Sequence, residues 1–129
     1  MIDLDECADI VMAWITKEPL PSYVGTPNKA DVLASLKEYQ EHGVVLMCDG
    51  GVIAGVLSES SVDASRKWIV EVCFYGGSFE LIDQLAAWGK AQGAHDYIVT
   101  AQGKRSKALG RLYTQNGFMK CEEFYTREL

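Results

Sequence analysis

One carboxylate interrupts an otherwise apolar run of the sequence between Lys67 and Phe74. This carboxylate is Glu71, and an apolar run of this kind is typical of a strand that is covered on both faces. Burial would raise the pKa of the side chain towards neutrality, which suits a general base. Two other interpretations stay open: a carboxylate that faces an open cleft of the sheet, or one paired with Lys67 or Arg66. Glu59 is a second candidate base.

The cysteines and histidines indicate neither a disulfide framework nor a metal site. The four cysteines are widely spread without a C-x-x-C pair, and three lie in apolar, strand-like contexts: Cys7, Cys48, Cys73 and Cys121. Buried free thiols are therefore expected. Cys73 is interpreted as a core thiol because no histidine is placed in the sequence to activate it. His42 and His95 have no ligand at metal-site spacing, so we expect no metal.

Composition favours one soluble globular domain. The chain has 129 residues, of which 48% are hydrophobic and 23% charged, and this length suits a single domain over 1–129. The formal net charge of −6 disfavours nucleic-acid binding, since an acidic surface repels phosphates. The acidic start lacks the basic segment of a secretory signal, and no apolar run is long enough to span a membrane. We therefore expect a cytoplasmic protein with reduced thiols.

The first half of the sequence predicts two helices followed by a hairpin. Asp3 or Asp5 can cap the first helix, whose apolar residues repeat at helical spacing. Asn28 is a suitable N-cap for the second helix, and Gly43 suits a left-handed residue just after its end. Asp49-Gly50 stands between two apolar runs and predicts the two-residue turn of a β-hairpin.

Strands alternate with helices in the second half, which implies parallel crossover connections. Ser78 can cap a third helix that Gly93 ends, and the sequence from Tyr97 to Ala101 predicts a strand. A basic loop and a short fourth helix follow. The sequence from Phe118 to Arg127 predicts a final strand or strand pair.

Three further segments occur in a fixed order between about Gly43 and the C-terminus. They are a hairpin turn at Asp49–Gly55, an amphipathic helix with a following turn at Leu81–Ala94, and an L-Y-x-x-x-G-F pattern within Gly110–Phe118. Together they resemble the GNAT superfamily of N-acetyltransferases. The resemblance implies an α/β fold with a central mixed sheet flanked by about four helices. The strand that usually opens the family's fold is expected to be absent.

The resemblance implies roles for several residues in acyl transfer to an amine. Tyr113 occupies the tyrosine of the L-Y pattern and is implied to be the general acid that protonates the departing thiolate. Glu71 occupies a strand position where family members often carry a catalytic carboxylate, which implies the base. Backbone amides near Val72 and Cys73 would hold the thioester oxygen. The alternative for Tyr113 is a helix tyrosine that packs on the sheet.

The phosphate loop departs from the family pattern. GNAT proteins carry Q/R-x-x-G-x-G/A there, and the amides of that loop hold the pyrophosphate of coenzyme A at a helix N-terminus. This chain has only Phe74-Tyr75-Gly76-Gly77-Ser78, which is shorter and lacks the Arg or Gln. Gly76, Gly77 and Ser78 are the loop residues implied to contact the cofactor. Ser106 replaces the asparagine with which the family contacts pantetheine.

Charged residues flank both ends of this implied cofactor site. Glu80 and Asp83, near the start of the third helix, would repel a pyrophosphate or act as helix-capping acids. The basic residues of the loop and fourth helix could meet the 3′-phosphate of coenzyme A or an acidic partner, or form a solvated face: Lys104, Arg105, Lys107 and Arg111.

Two functions follow from this sequence. The first is an acetyl-CoA-dependent N-acetyltransferase that acts on an amine of a small molecule or on a protein lysine, and the acidic surface suits a cationic acceptor. The second is a GNAT-fold protein without a cofactor, similar to GNAT-like bacteriophage proteins. It would bind a protein partner in the host cytoplasm or form part of a virion. A fold alone does not decide between them.

Overall fold

The computed structural model describes residues 2–17, 20–77, 79–99, 106–121 and 125–129. In that part of the chain it contains four helices, four strands and one short 3₁₀ turn at Ser22–Val24. The helices are α1 (Leu4–Lys17), α2 (Lys29–His42), α3 (Phe79–Ala91) and α4 (Ser106–Gln115). The strands are β1 (Gly43–Cys48), β2 (Gly51–Glu59), β3 (Lys67–Tyr75) and β4 (Asp96–Ile98).

The strands form one mixed sheet in the order β1-β2-β3-β4. The first three strands are antiparallel neighbours, whereas β4 runs parallel to β3 and is reached through the crossover helix α3. Three residue pairs join β3 to β4, from Trp68↔Asp96 to Val70↔Ile98. This arrangement confirms the predicted α/β fold with a central mixed sheet and four helices.

Each face of the sheet supports its own hydrophobic core. Helices α1 and α2 cover one face and bury Val11 and Leu36 against β1 and β2, which we call the first core. Helix α3 buries Leu81, Ile82 and Leu85 on the opposite face, where α4 also packs, and we call this the second core. Strand β2 serves both cores, since side chains alternate along a strand. Val52 and Ala54 pack into the first core and Ile53 into the second.

The predicted starts of α1 and α2 and the predicted hairpin are confirmed. The Asp3 carboxylate accepts hydrogen bonds from the backbone of Asp5 (3.0 Å) and Glu6 (3.3 Å), which caps α1. Asn28 Oδ1 accepts from the Asp31 amide at 2.9 Å and so caps α2. The hairpin has the expected two-residue turn, and Gly50 there has a φ of +75°.

The role predicted for Gly43 is wrong. Its φ of −167° is extended, and the residue opens β1 rather than closing α2 in a left-handed conformation. A Cβ atom at this position would lie 1.9 Å from the carbonyl oxygen of Gly55 on the neighbouring strand. Glycine is therefore needed here because two backbones approach closely.

The final strand predicted over 118–127 is also wrong for the described residues, since 118–121 and 125–129 form neither helix nor strand. Phe118 packs into the second core, whereas Met119 and Tyr125 are 82% and 81% exposed. A strand at this edge would need a buried face to stabilise it, and these residues do not provide one.

No helix within the described ranges is both long enough and apolar enough to cross a membrane.

Candidate active site

A β-bulge at Val72 sets the direction of the side chains along β3. Ala54 of β2 pairs with Cys73, but the next residue, Gly55, pairs with Glu71, so Val72 has no partner in the register. In a regular strand residues four apart share a face. Here Ile69 packs into the second core and Cys73 into the first. Glu71 therefore lies on the same face as Ile69, which α4 covers, and the bulge turns Cys73 to the opposite face.

The carboxylate of Glu71 is hydrogen-bonded by two tyrosines from two other elements. The Tyr113 hydroxyl, from α4, donates to Glu71 Oε2 at 2.7 Å. The Tyr97 hydroxyl, from β4, donates to Oε1. Phe118 packs edge-on against both rings, with centroids 5.0 Å from Tyr97 and 5.2 Å from Tyr113. We call Glu71, Tyr97 and Tyr113 the carboxylate–tyrosine cluster.

The structure thus brings together the two residues that the sequence offered as base and acid. Pairing of Glu71 with Arg66 is not observed, because Arg66 forms an ion pair with Asp96 at 2.7 Å. The Lys67 side chain is exposed, and its amide bonds to His95 instead. Glu59, the second candidate base, is exposed at the far end of β2.

Burial shifts the protonation of all three members of the cluster. It raises the pKa of Glu71 to about 7, although the hydrogen bonds from Tyr97 and Tyr113 act in the opposite direction. Burial, and then the negative charge of Glu71, raise the pKa of Tyr97 and of Tyr113 well above the usual value. At neutral pH the tyrosines therefore keep their protons, while Glu71 is close to half-ionised.

The sequence reasoning missed Tyr97. In the parallel register Tyr97 pairs with Ile69, and Ile69 shares its face of β3 with Glu71. One signal was available in the sequence, namely a tyrosine within a predicted apolar strand. A buried tyrosine hydroxyl usually has a hydrogen-bond partner. Only the register of β4 against β3 identifies that partner as Glu71.

The cluster lies where β3 extends beyond its parallel neighbour. The β3–β4 ladder ends at Val70↔Ile98, whereas β3 continues to Tyr75. Within the described residues, no strand pairs with β3 on that side from Glu71 onwards. Val72, at the bulge, is 36% exposed. In this described part of the chain, the unpaired edge of β3 therefore begins at Glu71, which accepts hydrogen bonds from Tyr97 and Tyr113.

Cys73 is not a candidate nucleophile. Burial, reinforced by the nearby charge of Glu71, raises the pKa of its thiol to about 12, and a thiol is nucleophilic as its thiolate. All four cysteines are free. In the described part of the chain, no three His, Cys, Asp or Glu side chains group together as a metal site would require.

The glycines of the short loop have a structural explanation. Gly76 and Gly77 have φ values of +65° and +71°. A Cβ at Gly76 would lie 2.3 Å from the carbonyl oxygen of Gly50 and 2.4 Å from Trp14 Nε1. That indole donates to the same carbonyl at 3.1 Å. The loop is packed against the β1–β2 turn, so its glycines are required whether or not a phosphate binds.

The remaining residues predicted to contact or repel the cofactor lie on α3 and α4 or outside the described residues. Glu80, in the first turn of α3, is exposed and accepts a 3.4 Å hydrogen bond from Gln84, and Asp83 is exposed on the same helix. Lys107 and Arg111 are exposed on α4. Three predicted residues lie outside the described residues: Ser78, Lys104 and Arg105. Ser106 is the first residue of α4, but its side chain is not described.

No family model matches the sequence, and no curated protein matches it. Its fold is nevertheless similar to that of solved acetyltransferases. A proposed acetyltransferase from Arthrobacter sp. FB24 superimposes with a TM-score of 0.70 at 20% identity, over 98% of this chain and 90% of that one. A ribosomal-protein-alanine N-acetyltransferase from Brucella melitensis biovar Abortus 2308 gives 0.66 at 14% identity, over 99% and 96%.

An aminoglycoside N-acetyltransferase, AAC(6′)-Iy, in complex with CoA gives a TM-score of 0.66 at 16% identity, over 98% of this chain and 88% of that one. Sequence identities this low establish the fold alone. The chain has the GNAT fold.

Proposed function

We propose that residues 1–129 form one domain that acts as an acetyl-CoA-dependent N-acetyltransferase, with an amine of a small molecule or a protein as acceptor. The observation that carries the proposal is the carboxylate–tyrosine cluster beside the open edge of β3. In this cluster a half-ionised carboxylate is hydrogen-bonded to a tyrosine hydroxyl. The carboxylate can accept one proton while the hydroxyl releases another. The similarity to acetyltransferase folds supports this proposal.

The proposed site suits the acetyl group of acetyl-CoA better than it suits the pyrophosphate. Acetyl-CoA would supply an acetyl thioester, and an extended amide chain can lie along an unpaired strand edge such as that of β3. The backbone amides near Val72 and Cys73 are the proposed donors to the thioester oxygen. At the other end, Gly76, Gly77 and Ser78 would face the pyrophosphate together with the N-terminus of α3.

The charge at that helix N-terminus is unfavourable for an anion. The helix dipole attracts a pyrophosphate, but the Glu80 carboxylate in the first turn opposes it, by about 0.3–1 kcal/mol. The loop also lacks the arginine or glutamine of the family pattern. We therefore propose that the donor binds weakly and chiefly through its acyl and pantetheine part, with Ser106 near pantetheine.

The cluster provides a proton path in this proposal. Glu71 accepts the proton that the acceptor amine loses, and the Tyr113 hydroxyl releases a proton at its oxygen as the thiolate leaves. The two atoms, Glu71 Oε2 and the Tyr113 oxygen, are 2.7 Å apart, so the proton held by Glu71 can replace the one released by Tyr113. Tyr97 holds the other carboxylate oxygen and fixes the orientation of Glu71.

A steady-state assay of acetyl transfer tests the proposal, with released thiol as the readout and a panel of amines as acceptors. Tyr113→Phe should lower kcat by about 10²–10⁴-fold, as expected for loss of a general acid. Tyr125→Phe is the matched control, because Tyr125 is 81% exposed on the tail, and it should leave kcat unchanged. Equal rates in the two variants would reject Tyr113 as the acid.

A further inference from the structure

Phe118 packs against both tyrosines of the carboxylate–tyrosine cluster. Its ring centroid lies 5.0 Å from that of Tyr97, with the ring planes at 86°, and 5.2 Å from that of Tyr113, with the planes at 67°. Aromatic rings favour such edge-to-face pairs, because the positive edge of one ring meets the negative face of the other. One side chain therefore contacts the rings of both elements, β4 and α4, that hold Glu71.

The turn that ends α4 fixes the backbone of Phe118. Gly117 has a φ of +89°, and the Phe118 amide donates to the Tyr113 carbonyl at 3.1 Å. A left-handed glycine followed by this hydrogen bond is the Schellman motif of helix ends. The Asn116 side chain donates to the Leu112 carbonyl at 2.7 Å and caps the same turn. The position of Phe118 relative to Tyr113 is therefore set locally.

Helix termination explains only one of the two ring contacts. An apolar contact between the residue after the left-handed glycine and the last helical turn frequently accompanies a Schellman motif. Phe118 and Tyr113 form such a pair. Tyr97 belongs to β4, so its contact with Phe118 joins two separate elements and is not required to end α4.

Phe118 differs in burial from the residues around it. Among residues 116–121 and 125–129, it alone is not exposed, and it packs into the second core. The next residue, Met119, is 82% exposed. The ring is therefore placed against the cluster, while its neighbours in the described tail face solvent.

The cluster needs two rings in defined positions. The Tyr113 hydroxyl must reach Glu71 Oε2, at 2.7 Å, while the Tyr97 hydroxyl reaches Oε1 of the same carboxylate. Rotation of either tyrosine about χ1 would carry its hydroxyl away. We propose that Phe118 is a positioning residue, which holds both tyrosine rings where their hydroxyls reach the two oxygens of Glu71. Its catalytic consequence rests on the proposed function, whereas the positioning itself does not.

Glu71 is the group of the cluster that changes charge between about pH 5 and 9. Burial, and then the charge of Glu71, raise the pKa of Tyr97 and of Tyr113 well above the usual value, and burial raises the pKa of Cys73 on β3 to about 12. The residues that α3 places in this core are apolar. His95, just before β4, bonds to a backbone amide. The charged residues of β4 and the described part of α4 are exposed: Asp96, Lys107 and Arg111.

The response of the two tyrosines to this charge tests the proposal. The ¹³Cζ resonances of Tyr97 and Tyr113 are followed with pH in the whole chain, without acetyl-CoA, and Glu71→Gln identifies the part of each shift that Glu71 causes. In the wild type both should shift with an inflection near 7, the pKa of Glu71. Phe118→Leu should reduce both shifts by at least about half, because the hydroxyls no longer stay within hydrogen-bond distance.

Three further variants separate positioning from packing. Phe118→Tyr keeps the ring and should retain both shifts. Phe79→Leu is the matched control, since it makes the same change at another phenylalanine of the second core, and it should also retain them. Phe118→Met replaces the leucine variant if that variant does not fold. Full tyrosine shifts in Phe118→Leu or Phe118→Met would overturn the proposal, as would equal losses in Phe118→Leu and Phe79→Leu.

An acetyl-transfer assay separates this inference from the proposed function. In an active wild type, Phe118→Leu should lower kcat by about tenfold or more and leave the KM of the acceptor within about twofold, because the misplaced groups act in the chemical step. Reduced tyrosine shifts in Phe118→Leu, with no transfer by the wild type, would uphold the positioning role and reject the transferase. Transfer by the wild type and by Phe118→Leu at the same kcat would uphold the transferase and overturn the catalytic consequence.

Discussion

The Tyr113 hydroxyl donates a 2.7 Å hydrogen bond to the Glu71 carboxylate and thereby joins α4 to β3 across the open end of the sheet. The two residues are 42 positions apart in sequence, and each comes from a different element. Charge-assisted hydrogen bonds of this kind are stronger than those between neutral groups. Catalytic chemistry and the docking of α4 therefore depend on the same contact, and several experiments can separate the two.

The stability of the protein should fall as the pH rises through the pKa of Glu71. That pKa is about 7 in the folded chain against 4.5 for an ordinary glutamate, so between these pH values the folded state binds more protons than the unfolded state. Stabilisation by protonated Glu71 is fully present below pH 4.5 and lost by about pH 7. The difference corresponds to roughly 3 kcal/mol, at about 1.4 kcal/mol per pH unit.

Urea unfolding at pH 5 and at pH 8 measures this effect when the wild type is compared with Glu71→Gln. The decline between the two pH values should be steeper in the wild type, because the glutamine variant does not titrate at this position. Glu38→Gln, on an exposed part of α2, controls for the loss of a carboxylate. Parallel declines in wild type and Glu71→Gln would show that burial of Glu71 does not shift its pKa upward.

The pH profile of catalysis should depend on Tyr97. If Glu71 is the base, kcat/KM rises with pH with an inflection near 7, the folded pKa of that carboxyl. Tyr97→Phe removes a hydrogen bond that favours the ionised carboxylate, so the inflection should move to higher pH. Loss of activity with an unmoved inflection would instead indicate that Tyr97 only supports the fold.

Acetyl-CoA should raise the thermal stability of the chain, and Glu80 should limit the size of the effect. Saturation at about 100 times the Kd adds roughly 2.7 kcal/mol, which is about 5–15 °C in Tm for a domain of this size. Glu80→Gln should tighten binding by about two- to fivefold by removing a charge near the pyrophosphate. No rise in Tm at millimolar acetyl-CoA would leave the fold without a donor.

The local features of this fold were predictable from sequence. Asp3 and Asn28 have side chains that bond to backbone amides within three residues, so their capping roles depend on nothing distant. The Asp49-Gly50 turn is equally local. The tail was not predictable in the same way, because alternating apolar residues form a strand only if the rest of the chain offers a sheet edge and a core to cover.

The candidate site likewise contains some residues that were predictable from sequence and others that were not. Glu71 was found because one charge inside an apolar run is visible in the sequence, and Tyr113 because its motif resembles that of a family. Tyr97 was missed since its role depends on the β3–β4 register. The bulge at Val72, which places Cys73 on the face of the sheet opposite Glu71, also has no marker in the sequence, because it follows from the pairing of β2 with β3.

Two glycine substitutions should have opposite effects on stability. Gly76→Ala would place a methyl group 2.3 Å from the Gly50 carbonyl oxygen at a φ of +65°, so it should destabilise the fold by at least about 2 kcal/mol. Gly110→Ala meets no atom within 4 Å and removes a flexible residue from α4. It should stabilise the fold by about 0.5–1 kcal/mol. Urea unfolding of both variants measures the difference.

The Gly76→Ala variant also tests whether the glycine of the loop after β3 is needed for packing. If Gly76→Ala destabilises the chain while the affinity of the surviving folded protein for acetyl-CoA is unchanged, the glycine serves the contact with the β1–β2 turn and the Trp14 indole. A variant that folds with wild-type stability but binds acetyl-CoA more weakly would reverse that assignment. The loop would then have to be interpreted as a phosphate cradle, in which backbone access to the pyrophosphate explains the glycines.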